Sequence, residues 1–297
     1  MTFDVAIVGG SFAGLSAALQ LARARRRVAI FDTGVRRNRF AASAHGFFAQ
    51  DGRAPGAIVA EARAQVGAYA TVRWFESHVS SITGGPEAFA LQVDGGAHEA
   101  RRVVLATGVA DGLPSVPGLE ERWGRSVFHC PYCHGYELAL GRIGVIATGP
   151  NSLHQALLLP EWGSVTFFLN GALVPSDEDA RALAARGVVV EPTPIARIAE
   201  RARVLLVDGR NEDFAGLFTA TRTEPASELA AQLGCVHEQG PLGAFVKTGP
   251  MKETSVPGVF ACGDLARAAG NVALAVGDGA LAGAAVHRSL VFGSQGY

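Results

Sequence analysis

"DVAIVGGSFAGLSAALQLARARRRVAIFD", residues 4–32, reads in order as a strand, a glycine turn, a helix with Ala and Leu at helical spacing, and a second strand that ends in an acid. That order is a βαβ nucleotide-binding unit. Gly9 falls at the tight turn with Gly10 beside it, Ser11 where a small residue lets backbone approach a pyrophosphate, and Gly14 where helix meets strand. Asp32 closes the second strand, where such units place an acid for the ribose hydroxyls. Ser11 stands where the pattern has its middle glycine. It is small enough to keep the turn, and the helix N-terminus still offers N–H groups to phosphate.

A second unit of the same shape begins at Arg142: "RIGVIATGPNSLHQALLLPEWGSVTFFLNG", residues 142–171, again reads strand, turn, helix, strand. Between the two, "ARRVVLATGV" (100–109) reads as a buried parallel strand, and "DGLPSVPGL" (111–119) is rich in Pro and Gly as interdomain linkers are. "GPLG" (240–243) is a second crossing point. The expectation is an α/β protein of two Rossmann-like three-layer domains. The first is discontinuous, residues 1–116 and 243–297; the second spans 117–242. The segment "TSVPGVFACGDLA" (254–266) and the Ala-rich helix "NVALAVGDGALAGAAVHRSL" (271–290) complete the first.

The chain has 297 residues, 48% apolar and 18% charged, with a formal net charge of -1. Mixed charge of this kind offers no broad attraction for nucleic acid or an anionic membrane. No apolar run approaches the roughly 20 residues that span a bilayer. The first residues carry no basic n-region or small-residue cleavage site, so a cytoplasmic location is expected. Cysteine pairs in a reducing compartment are metal-binding or redox-active rather than structural staples.

The close pair lies in "HCPYCHGYE", residues 129–137. The spacing of Cys130 and Cys133 alone admits a metal clip, a haem attachment or a redox dithiol. A structural zinc wants four ligands, and no second CxxC or HxxxH is present, so no metal site is expected. Haem attachment fits "CPYCH" but usually takes place outside the cytoplasm. Cys235 and Cys262 read as buried small apolar residues.

Four motifs together resemble the low-molecular-weight thioredoxin reductase family of FAD-dependent disulfide oxidoreductases: "VGGSFAGL", "LATG" (105–108), the CxxC just before the second unit, and "TSVPGVFACGD" (254–264). The resemblance implies a thioredoxin reductase-like architecture with FAD as cofactor. It assigns Gly9, Gly10, Ser11, Gly14 and Asp32 to the adenosine and pyrophosphate half, with Thr107 and Gly108 of the "LATG" motif also on the cofactor. Asp264, after Gly263, falls at the ribityl and phosphate region, and Asn271 and Val272 near the flavin pyrimidine. Within the family, "CPYCHGYE" is most similar to the gliotoxin and holomycin type of dithiol oxidase, which has histidine after the second cysteine. That similarity implies Cys133 against the flavin, Cys130 toward the substrate, and His134 as acid/base with His129 as second candidate.

The chemistry agrees with a role for the histidines. A free thiol of pKa near 8.5 is mostly protonated at pH 7, and an imidazole of pKa about 6.5 can take its proton. Tyr132 and Tyr136 read equally as substrate contacts or as packing. His45 and Asp51, in "SAHGFFAQDG" (43–52), are candidates for flavin or substrate contact, or turn caps; His45 is placed with the flavin.

The second unit departs from the NADPH pattern. Its turn reads Ala147, Gly149 and Ser152, with Pro150 where an N–H would help to cradle phosphate. "FFLNGALVPSD" (167–177) has neither arginines for a 2′-phosphate nor an acid at Asn170. A nicotinamide nucleotide is therefore not expected, although an unorthodox mode stays open. The leading expectation is an oxidase that uses the Cys130/Cys133 pair to close a disulfide in a small dithiol or peptide, with O2 as acceptor. The alternatives are an NAD(P)H-dependent reductase of a thioredoxin-like protein and a flavin-bound redox sensor. The resemblance also implies a homodimer.

Overall fold

The computed structural model describes residues 2–293. Strand β1 (Thr2–Val8), helix α1 (Phe12–Arg23) and strand β2 (Val28–Phe31) form the first βαβ unit, followed by α2 (Pro55–Gly67) and β3 (Val72–Phe75). Next come β4 (Val79–Gly85), β5 (Ala88–Val93) and β6 (Gly96–Leu105). The sheet order is β3-β2-β1-β6-β5-β4, with β1, β2, β3 and β6 parallel and β4 and β5 antiparallel. Alternation along β1 builds both faces: Ala6 and Val8 enter one core, Val5 and Ile7 the other. A sheet covered on both faces explains why this strand is apolar almost throughout.

After β7 (Val109–Gly112) the chain builds a second compact unit. Its elements are β8 (Val127–Phe128), α3 (Pro131–His134), β9 (Leu140–Ile146), α4 (Asn151–Leu158), β10 (Gly163–Phe168), α5 (Asp177–Ala185) and β11 (Val189–Glu191). A small antiparallel sheet of β12 (Ile195–Ala199), β13 (Arg203–Leu206) and β14 (Asn211–Asp213) follows, then β15 (Gly216–Thr219). The main sheet, order β11-β10-β9-β15-β8, is parallel throughout. Ile143 and Val145 face one of its cores, and Ile146 and Leu217 the other.

The chain then returns to the first unit through β16 (Arg222–Pro225), α6 (Leu229–Gln232), β17 (His237–Gln239), β18 (Ala244–Val246), β19 (Val259–Ala261) and α7 (Val272–Phe292). β19 adds to β6 in parallel over residues 103–105. α7 lies on α1 at backbone distance: a Cβ at Gly279 would collide with the Ala13 carbonyl, and one at Gly283 with that of Ala17. Small residues on α7 are what allow this approach, which is why an Ala- and Gly-rich sequence occupies a 21-residue helix.

The division differs from the expected one. Unit one is residues 1–39, 47–110 and 223–297; unit two is 40–46 and 111–222. The second crossing falls near residue 222 rather than 243, because Leu229, Ala230, Cys235 and Val246 bury into the core of the first sheet. The Pro/Gly segment 240–243 is the turn between β17 and β18 instead. Residues 40–46 join the second unit through tertiary packing that no composition shift announces. Among the described residues no helix is long and apolar enough to cross a membrane.

Candidate active site

Cys130 and Cys133 are joined as a disulfide with Cα atoms 5.3 Å apart. Pro131 starts α3 with its fixed φ and no N–H to strand, so the two cysteines fall at the cap and third position of one short turn. Gly135 follows because a side chain there would strike the Pro131 carbonyl and the Trp162 ring. Beneath the loop, Gln155 of α4 is buried and donates Nε2–H to the His129 carbonyl at 2.7 Å. This bond ties the residue before Cys130 to the second unit's helix.

His134 stacks on Phe128, with ring centroids 4.2 Å apart and planes 18° from parallel. Its Nδ1 is buried without a hydrogen-bond partner. Burial pushes the imidazole down to about 4, opposed by the Glu137 carboxylate and reinforced by His45. At neutral pH the ring is therefore uncharged, the form that accepts a proton, but a weaker base than the free side chain assumed from sequence. His45 Nδ1 stands 3.4 Å from Glu137 Oε1. His129 lies beside Trp123, with centroids 6.2 Å apart. Tyr132 and Tyr136 are both largely exposed, and Tyr132 meets Trp162 edge-on.

The first unit's glycine turn is built for close approach. Gly9 has φ +103°, and a Cβ there would sit on the Ala106 carbonyl; one at Gly10 would enter the Trp74 ring, and one at Gly14 the Gly9 carbonyl. Asp32 accepts from Gly10 N–H at 2.9 Å and Gly34 N–H at 3.1 Å, so it also holds the turn in shape. Ser11 caps α1 without a side-chain bond, and no acid lies in the first turn, which leaves the helix's first N–H groups without side-chain acceptors. Arg36 Nε, Trp74 Nε1 and Ser77 Oγ are buried with no partner. All belong to segments at or beyond the C-terminal ends of β2 and β3, where open α/β sheets take their ligands. Bare helix donors with orphaned polar groups nearby are what a dinucleotide would satisfy.

Across the same unit, Gly108 has φ +69° and its carbonyl accepts from Ala226 N–H, while the Thr107 backbone lies by the Gly9 turn. Asp264, after Gly263, accepts from Arg37 at 2.8 Å, with both side chains half-buried. Asn271 caps α7 by accepting from Leu274 N–H at 2.8 Å, which makes Val272 the first helical residue. His45, expected with the flavin, belongs to the 40–46 segment of the second unit, with its Nδ1 at Glu137 Oε1; that contact does not bear on the expectation.

The second turn is built differently. Thr148 N–H donates to Ser152 Oγ at 2.9 Å, and Thr148 Oγ1 donates to the Ala220 carbonyl at 2.6 Å. Ser152 is fully buried. Asn170, at the ribose position, accepts from Ile195 N–H at 2.9 Å. The Thr148 N–H and the Asn170 side-chain oxygen are thus both bonded within the protein.

Sequence reasoning did not single out Glu137, Gln155, Trp74, Arg36 or Arg37. Glu137 was visible inside the cysteine motif; the others become neighbours only through folding. Among the described residues no group of three or more His, Cys, Asp or Glu is placed to hold a metal ion.

A β-sheet unit with a dinucleotide-type glycine turn and a second one carrying a CxxC disulfide fit a dinucleotide-dependent disulfide oxidoreductase. The chain belongs to the pyridine nucleotide-disulphide oxidoreductase family, whose model matches residues 3–279. It is similar to "Thioredoxin reductase sirT" of Leptosphaeria maculans, 35% identical, covering 96% of this chain and 93% of the relative. "Thioredoxin reductase tcpT" of Claviceps purpurea is 33% identical over 94% and 92%. Among solved structures, an oxidoreductase from Agrobacterium tumefaciens superimposes with a TM-score of 0.96 at 55% identity, over 98% of this chain and 99% of that one. HlmI does so with a TM-score of 0.91 at 39% identity, over 98% and 93%. The protein is thus a thioredoxin reductase-like oxidoreductase of an FAD-binding family, with relatives of the gliotoxin and holomycin type.

Proposed function

We propose that this enzyme is a dithiol oxidase that closes a disulfide in a small dithiol, with O2 as final acceptor. The observation that carries the reading is the second unit's nucleotide site: Pro150 has no N–H for a phosphate, the Thr148 N–H is taken by Ser152 Oγ, and Asn170 stands bonded to Ile195 N–H where a ribose-binding acid would be. Electrons with no nicotinamide source must enter from the dithiol itself. Gly9, Gly10, Ser11, Gly14 and Asp32 would hold the adenosine and pyrophosphate half of FAD, with Arg36, Trp74 and Ser77 around it. Thr107, Gly108, Gly263, Asp264, Asn271 and Val272 would hold the remainder. Bound there, FAD would supply a two-electron acceptor, with O2 as the final oxidant and hydrogen peroxide as product.

The protein's own steps follow from its cysteines and histidines. A substrate thiol gives its proton to His134, and the thiolate attacks Cys130 Sγ. The Cys130–Cys133 bond breaks, and Cys133 leaves as a thiolate. The second substrate thiol, deprotonated in turn, attacks the substrate sulfur of the mixed disulfide and displaces Cys130. The substrate has then lost two electrons and two protons, and the cysteine pair holds the two electrons. Tyr132 and Tyr136 flank the disulfide as exposed apolar surface for a small ligand.

The test is an anaerobic spectral titration of the holoenzyme, first with NADPH and then with a dithiol. Bleaching by dithiothreitol and not by NADPH, with peroxide formed on admitting air, is the expected result. Bleaching by NADPH would replace this reading by the second one, an NAD(P)H-dependent reductase, which the family model favours because it spans the second nucleotide unit too. A homodimer, as the resemblance implies, is a separate measurement by light scattering.

A further inference from the structure

His134 has a difficulty as a base. Its ring is packed face to face on Phe128, its Nδ1 has no partner, and a proton placed on it creates a charge in a largely buried site. Something must make that charge tolerable during thiol–disulfide exchange. The next turn of the same loop supplies a carboxylate, Glu137, three residues on. Across from it the 40–46 segment, which packs into this unit from far upstream, brings His45 Nδ1 to 3.4 Å from Glu137 Oε1.

We propose that Glu137 is a positioning residue whose charge lets His134 hold the proton of an incoming thiol, and that His45 sets how much of that charge His134 feels. This rests on the disulfide-exchange reading of the site. Three titratable side chains gather here from two distant stretches, and two of them, Glu137 and His45, make a polar contact rather than cover the core. A carboxylate near His134 favours the imidazolium; any proton on His45 opposes it, directly and through its contact with Glu137. The shift of His134 has both influences, in these opposite senses. Among the described residues the charges acting on the ring are those of Glu137 and His45, and β8 contributes the uncharged Phe128.

Opposite signs make the proposal testable. Purified holoenzyme carrying Glu137→Gln or His45→Gln is mixed anaerobically with dithiothreitol. Opening of the Cys130–Cys133 bond is followed by iodoacetamide trapping and mass spectrometry of the peptide, between pH 6.5 and 9.5. At pH 6.5 Glu137→Gln should slow opening by about tenfold, and His45→Gln should speed it. Both differences should shrink toward pH 9.5, where the dithiol ionises without a base. Slowing in both variants, no change in either, or differences that persist at pH 9.5 would overturn the proposal, since disturbed loop packing moves both variants the same way at every pH. The trapping reports only the cysteines. If wild type opens with this pattern yet no dithiol yields peroxide in air, the oxidase reading fails and the proton-handling role stands.

Discussion

The two βαβ units of this chain descend through the same motif order and end as opposites. In the first, a Cβ at Gly9, Gly10 or Gly14 would strike backbone or an aromatic ring, and α1 begins with donors that no side chain accepts. In the second, Ser152 takes the Thr148 N–H, Pro150 has none to offer, and Asn170 is spent on Ile195. A nucleotide turn works by leaving backbone N–H groups unsatisfied until the ligand arrives. In the first turn Asp32 holds the Gly10 N–H, while in the second Ser152 holds the Thr148 N–H and Pro150 supplies none. The second unit also carries the redox loop: its α4 holds the His129 carbonyl through Gln155.

The largest expected effect separates the units by chemistry. Cys130→Ser should lower dithiol turnover by about a thousandfold or more, by removing the exchanging sulfur, while FAD content stays at wild-type level. Loss of flavin in that variant would mean that the units are not functionally separable as drawn. The converse change is Gly14→Leu in the open turn. It drives side-chain atoms into the Gly9 carbonyl, so FAD per chain should fall to about a tenth or less, read from the visible-to-ultraviolet absorbance ratio.

A smaller effect concerns pH. His134 ordinarily titrates near 6.5 and is held at about 4 in the folded protein. Between those values the unfolded chain binds a proton the folded one refuses, so this group makes stability rise with pH across that window. The contribution is complete above pH 6.5 and is lost as pH falls toward 4, on the order of 3 kcal/mol in all. His134→Phe keeps the stacking and removes the titration. Its urea midpoint should depend less on pH than wild type between 4.5 and 6.5; parallel curves would show that the ring is not protected from water as described. The least effect is expected at the closed turn. Ser152→Ala should cost about 1 kcal/mol through the unpaired Thr148 N–H and leave FAD content alone. If that variant gained NADPH reduction of the flavin, Ser152 alone would be what shuts the second turn.

Much of the fold was legible because periodicity and glycine spacing are local. The strands at 4–8, 28–31, 143–146 and 163–168 alternate or run apolar, and the glycines mark turns that only they can make. The domain crossing was harder. "GPLG" looked like a linker, and Pro and Gly serve a hairpin turn equally well; what decided for the hairpin was burial of Leu229, Cys235 and Val246 in the first sheet. His45 shows the same limit at the site. Nothing in its sequence neighbourhood announced that its segment packs into the second unit, against Glu137.

The order of motifs, the CxxC with its adjacent histidine and the missing arginines of the second unit were all determined by the sequence, since each depends on residue type within a few positions. Tertiary structure decided the rest: that His134 is buried and uncharged, that Asn170 accepts from Ile195 N–H, and that a histidine some ninety residues upstream stands beside the redox loop. The physical reason is that desolvation and electrostatics depend on which surfaces meet, and long-range packing sets those surfaces while local patterning sets only the elements that carry them.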